Sequence, residues 1–163
     1  RSDWAAYATG TPVVNSLGDT IKLTGLMMFL RQFVSRGQAG VTQITTAPPT
    51  PGLAILSPVS ASRHLSTSTF DIAYDNGDAW AITTGGFLAV FQSPPMGVGN
   101  NFYKGPFRYV GKVLGNTGAP PTSPLNVTSP YTVEAGQRYF FRAIAVDSEG
   151  RMSGAQFLKC DVA

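Results

Sequence analysis

The chain has 163 residues, enough for one compact body plus an appendage of about 45 residues. Only 13% of them are charged, while glycine (18) and proline (12) are abundant, a composition that suits short strands and tight turns and excludes a typical helical enzyme. The net charge of +3 is scattered with no run of basic residues, which argues against direct nucleic-acid binding unless folding gathers the arginines.

A surface so poor in charge points to one covered by neighbouring subunits; a secreted or simply neutral domain is the competing reading. Cys160 is the only cysteine, so there is no internal disulfide framework; pairing with another chain and inert burial both stay open. No secretory signal is present, and no apolar run approaches membrane-spanning length. The Asn126-Val127-Thr128 acceptor pattern is common by chance and needs a secretory route. Opening on Arg1 rather than methionine, the chain is expected to follow a processed segment, a tag or a disordered arm.

Residues 1–8 read as the end of a helix, with Ser2 or Asp3 as cap and Trp4, Ala5 and Ala8 as a packing face. Gly10-Thr11-Pro12 closes it, and Val13 and Val14 form a brief extended piece before a turn over residues 15–18. From Thr20 the period changes. Leu23, Leu26, Met27, Leu30, Phe33 and Val34 recur at three and four residues, with Phe29 widening the stripe, so a helix is predicted, capped by Asp19 or Thr24 and ended by Gly37 or Gly40. Arg31 and Arg36 suit its C-terminal end, Arg31 as a rim charge. Such a face needs cover, either from the same chain or from a partner or symmetry mate.

Residues 41–46 read as extended, and the Pro-rich residues 47–52 mark the boundary between a helical arm (1–46) and a strand-rich body (47–163). Leu53-Ala54-Ile55-Leu56 is expected as an edge strand, residues 57–68 as a polar connection, and residues 69–74 as an alternating strand. Asp75-Asn76-Gly77-Asp78 is expected to turn a hairpin into strands between Trp80 and Phe91. There Gly85-Gly86 is a divider or bulge, and Phe87-Leu88-Ala89-Val90-Phe91 the central strand. A long loop follows over residues 93–105, with Met96, Val98, Phe102 and Tyr103 as apolar tips. Residues 107–114 alternate as a strand, 115–124 form a loop, 125–133 lead into the next strand, and 150–162 close the sheet.

Residues 131–153 organise the rest. Tyr139, Phe141, Ala143 and Ala145 fall on one side of an extended chain, and Phe140, Arg142, Ile144 and Val146 on the other. Gly136 precedes the run and Asp147-Ser148-Glu149-Gly150 turns it, so a long strand covered on both faces is expected. Gly136, Tyr139, Phe141, Arg142, Ala145, Val146, Asp147, Gly150 and Ser153 together resemble strands F and G of a fibronectin type III-like domain. The resemblance implies an all-β, immunoglobulin-like Greek-key sandwich behind the helical N-terminal arm, with Tyr139 tying strand F to the preceding loop and Trp80 filling the core tryptophan's place.

The residues that carry chemistry do not assemble into a motif. His64 and Cys160 are far apart in sequence, and a Cys-His pair would need folding to create it. Asp71, Asp75 and Asp78 read as turn residues before a calcium loop, lacking the terminal glutamate. Asp147, Glu149 and Asp161 read as a solvated rim, and no cleft with two carboxylates is placed. Gly85-Gly86 and Gly97-Val98-Gly99 lack the phosphate-loop lysine. Of Tyr7, Trp80, Phe102, Tyr103, Tyr109 and Tyr131, only Phe102 and Tyr103 are attractive as an exposed carbohydrate platform. No catalytic residue, metal ligand or cofactor is assigned.

The expectation is therefore a non-enzymatic structural subunit. The arrangement Arg1-x-x-Trp4-x-x-x-Ala8, Asn15-x-x-Gly18, Leu23-Thr24-Gly25, Pro48-Pro49 and the final strand pair is similar to uncharacterised phage and prophage proteins. That likeness implies a place in a virion, of capsid-decoration, head or neck type. Its partners would be other protein subunits, copies of itself included, with no sequence-specific nucleic-acid contact and no membrane. Leu26, Met27, Leu30, Phe33 and Val34 would form the docking face, and Met96, Val98, Phe102 and Tyr103 the loop anchors. The alternative is a fibronectin-like adhesion or carbohydrate-binding module, extracellular or at the cell surface.

Overall fold

The computed structural model describes residues 2–15, 18–64 and 68–163. Helix α1 (Ser2–Gly10) is followed by a hairpin of β1 (Val13–Val14) and β2 (Thr20–Ile21), then by helix α2 (Gly25–Ala39). The body comprises β3 (Ser60–Arg63), β4 (Thr69–Ala73), β5 (Phe87–Gln92), β6 (Met96–Gly97), β7 (Arg108–Leu114), β8 (Leu125–Thr128), β9 (Gln137–Val146) and β10 (Gln156–Asp161). One sheet has the order β3-β4-β8 and the other β10-β9-β5-β7, with β6 added at the start of β9. All the ladders are antiparallel.

This is the fibronectin type III-like sandwich that the sequence resembles. In a constant-type immunoglobulin domain the fourth strand joins the first sheet; here β7 pairs with β5 in the other one. Of the expected turn over residues 15–18, residues 16 and 17 lie outside the described residues, as do Arg1 and residues 65–67 of the expected polar connection.

β9 separates two cores because its side chains alternate. Tyr139, Phe141, Ala143 and Ala145 face the three-stranded sheet and pack with Phe70, Ile72, Trp80, Leu88 and Val127. Ile144 and Val146 face the other way, toward Ala39, Phe87, Ala89, Phe91 and Met152. β5 lies between β7 and β9, and all its residues are buried. The Tyr139 hydroxyl donates to the Thr132 carbonyl at 2.8 Å, as the resemblance implies, and Trp80 is fully buried in the sandwich core.

The helical arm lies on the outer face of the larger sheet. Trp4, Tyr7, Ala8, Val13 and Met28 form a third cluster, and Ala5, expected to pack, is exposed. The Lys112 ammonium donates to the Ala39 carbonyl at the end of α2, and Arg31 donates to the Ser153 carbonyl at 3.4 Å. Thr24 caps α2 by accepting from the Met27 amide, and Gly40 closes it with φ of 60°, a left-handed conformation that costs glycine little.

The chain departs from the sequence reading at three elements. Residues 53–56 form no strand; the Gln156 side-chain amide donates to the Leu56 and Ser57 carbonyls at 2.8 and 2.9 Å, and the Ala54 amide donates to the Met152 carbonyl. These partners are a side-chain donor and a single backbone carbonyl, so no ladder forms, and the first sandwich strand is β3, inside the expected polar connection. The turn at Asp75 makes no hairpin. β4 is already paired on both sides, so the chain leaves its sheet, crosses as residues 75–86 and enters the other as β5.

Candidate interaction surface

The five docking residues read from the sequence face solvent, while Leu23 and Phe29 of the same stripe pack on the cluster around Trp4. Leu26, Met27, Leu30, Phe33 and Val34 are 67%, 52%, 48%, 44% and 53% exposed. The inward face carries Met28, Gln32, Arg36 and Ala39, spaced four, four and three residues apart along one side of the helix. Two polar side chains, Gln32 and Arg36, thus point in between Met28 and Ala39, while the apolar docking residues point out. The cause is a close helix crossing at Gly25, where a Cβ would fall 2.6 Å from the Ala5 amide nitrogen. Only the face containing this glycine can meet α1, and the rotation of α2 follows from it. Arg36 is accommodated by donating from Nε to the Thr42 carbonyl at 2.7 Å.

The loop anchors are less uniform. Val98 and Phe102 are exposed, while Met96 is half-buried as part of β6. Tyr103 is half-buried, stacked on Phe140 with centroids 6.3 Å apart, and donates to the Pro106 carbonyl at 2.9 Å. A cleft of about 710 Å³ runs past Phe102, Tyr103, Phe140 and Phe157. The structure does not merge these anchors with the α2 stripe. Leu30 and Val34 line a second cleft of about 430 Å³ with Phe91, Phe107 and Arg142.

The sequence reading missed the residues between these clefts. Phe107 sits edge-on to Tyr103, with centroids 5.1 Å apart, and tilted against Phe157 at 6.0 Å. The Arg142 guanidinium lies over the Phe91 ring, 4.4 Å from its centroid, and 5.6 Å from that of Phe107. Burial pushes the pKa values of Arg31 and Arg142 down, and the Arg142 charge adds to the effect on Arg31. Arg31 is therefore a half-buried cation rather than a rim charge. The available signal was Arg142 itself, a charged residue set between Phe140 and Ile144 on one strand face.

The chemistry-bearing residues have structural partners. His64 Nδ1 lies 2.8 Å from an Asp71 carboxylate oxygen, and Asn126 donates to the other at 3.0 Å; the His64 hydrogen bond leads in lowering the Asp71 pKa. Asp75 accepts from the Gly77 amide at 2.8 Å. Asp78 is buried, accepting from the Ser57 amide and hydroxyl at 2.9 and 2.6 Å and from Trp80 Nε1 at 3.2 Å. Asp147 and Glu149 both meet Arg151, at 2.7 and 3.1 Å, while Asp161 pairs with Arg138 near the opposite end of β9. The three acids therefore form no common rim. Cys160 is buried, and burial raises its thiol pKa, the reverse of what a nucleophile needs. Tyr7 and Trp80 serve the core.

No protein-family model matches the chain, and no curated relative matches it by sequence. Among solved structures, it is similar to a Fn3-like protein from Clostridium thermocellum, with 15% identity, a TM-score of 0.44, and coverage of 68% of this chain and 94% of that one. It is also similar to part of the spore cortex lytic enzyme SleM of Clostridium perfringens, with 12% identity, a TM-score of 0.43, and coverage of 67% and 28%. A family 76 glycoside hydrolase from a bovine Bacteroides thetaiotaomicron strain matches with 8% identity, a TM-score of 0.41, and coverage of 64% and 20%.

Proposed function

We propose that this chain is a structural subunit of a larger assembly, docking through the outer face of α2, and that the assembly is a phage particle in which it takes a capsid-decoration, head or neck position. The observation that carries the docking reading is the outward apolar stripe Leu26, Met27, Leu30, Phe33 and Val34. Apolar area removed from water stabilises by about 25 cal/mol per Å², and a contiguous stripe of this kind marks contact surfaces. The low charge content supports a covered surface, and the phage placement rests on the sequence resemblance. Other subunits, copies of this chain among them, are the proposed partners.

The test is the mass of the native species, by light scattering or native mass spectrometry, for the wild type and Phe33→Asp. The wild type is expected to form a defined oligomer or to enter particles, and the variant to do neither while melting at the same temperature. A wild-type monomer that enters no particle, or an assembling Phe33→Asp, overturns the proposal.

The second reading, a carbohydrate-binding or adhesion module, is favoured by exposed Phe102 and Phe157 beside the cleft of about 710 Å³. It expects a monomer with glycan binding that Phe102→Ala removes. Absence of glycan binding by the monomer overturns it.

A further inference from the structure

A third cleft, of about 680 Å³, joins the other two, sharing Lys104 and Phe157 with one and Arg31, Phe107, Arg142 and Ile144 with the other. Its apolar walls come from Val13 and Ile21 of the β1–β2 hairpin, from Leu53, and from Phe107 and Phe157. Arg31, Lys104 and Arg142 also line it, and no aspartate or glutamate does. Its size is that of a small-molecule site.

The cations are held without counter-charge. Neither Arg31 nor Arg142 has a carboxylate partner among the described residues, and Arg142 Nε is buried with no hydrogen-bond partner there. The contrast with Arg138 is direct, since its guanidinium meets both Asp161 oxygens. Two like charges in a half-buried space oppose folding unless something compensates them. A guanidinium fork matches a carboxylate in two parallel bonds, and such bonds strengthen as water is excluded. The apolar walls add a second requirement, because a small hydrated anion would leave them wet.

We infer that this cleft binds a free organic monocarboxylate with an apolar body, its head group on Arg31 and Arg142 and its tail along Val13, Ile21, Leu53 and Phe157. The site is separate from the docking reading, since none of Leu26, Met27, Leu30, Phe33 or Val34 lines it. Lys104 stands at the mouth shared with the aromatic cleft and draws the anion in.

The test is calorimetric titration of the full chain with decanoate at sub-micellar concentration, beside 1-decanol, acetate and inorganic phosphate. Saturable one-to-one binding of decanoate is expected, with the three comparators weaker by about tenfold or more. The double substitution Arg31→Gln/Arg142→Gln should weaken decanoate by at least about tenfold and leave decanol unchanged. Phe157→Ala, at an exposed position, should weaken decanoate and not acetate, and it keeps the test decisive if the double variant fails to fold. No saturable decanoate binding, phosphate binding as tight as decanoate, or a folded double variant that binds decanoate equally overturns the inference.

Discussion

Gly25 of α2 lies against the backbone of α1 so closely that a Cβ would stand 2.6 Å from the Ala5 amide nitrogen and 2.7 Å from the Trp4 carbonyl carbon. This contact decides which side of α2 the protein hides. A methyl group there meets backbone, which cannot swing aside as a side chain can.

Gly25→Ala should therefore destabilise, although alanine is the better helix former by about 1 kcal/mol. Overpacking of this kind costs about 1–3 kcal/mol, and each 1 kcal/mol is worth about 2–4 °C in a chain of this size. Thermal melting by circular dichroism gives the sign. A raised Tm would show that the helices do not cross here.

Tyr139→Phe should cost about 1–2 kcal/mol. The hydroxyl bonds the Thr132 carbonyl and also lies 2.5 Å from Gln137 Oε1, while the ring is fully buried against Phe70. The substitution keeps the ring and removes the bond that holds the loop before β9. Denaturant unfolding should show a lower midpoint with an unchanged slope.

Asp78→Ala should be far more damaging, by about 3 kcal/mol or more. It strips the acceptor from the Ser57 amide, the Ser57 hydroxyl and Trp80 Nε1 together. Asp78→Asn keeps one acceptor oxygen and should fall between it and the wild type. Tryptophan fluorescence during urea unfolding follows both, and equal effects of the two substitutions would refute the shared-acceptor account.

The Arg138–Asp161 pair makes an acid-side prediction. The hydrogen bond from Arg138 holds the Asp161 carboxyl below its ordinary value, so the folded state binds this proton less readily than the unfolded one. The resulting stability is present above the unfolded pKa of about 3.9 and is lost as pH falls through the lower folded value. Asp161→Asn should melt a few degrees lower than the wild type near neutrality, and the difference should shrink below about pH 4. A constant difference across that range would mean that the pair contributes nothing through its charge.

Much of the sandwich was legible because a strand's side chains alternate whatever lies around it. The assignment of Tyr139, Phe141, Ala143 and Ala145 to one face and Ile144 and Val146 to the other survives intact in the two cores. The central position of β5 was readable from its unbroken apolar run. Pairing was not, since residues 53–56 have strand composition, yet the Leu56 carbonyl and the Ser57 carbonyl after it are taken by the Gln156 side chain. The Asp75 turn likewise says that the chain reverses and not which sheet it reverses into.

In the candidate surface, periodicity located the α2 stripe but not its direction. Local order in this chain, namely the helix, its Thr24 cap, its Gly40 stop and the two-faced β9, follows from residue spacing and backbone preference, which act over a few neighbours. The outward turn of Leu26 to Val34, and the convergence of Arg31 with Arg142 from 111 positions further along, belong to tertiary structure alone. They depend on the Gly25 crossing and on which sheet face the arm covers, contacts between residues that no short stretch of chain contains.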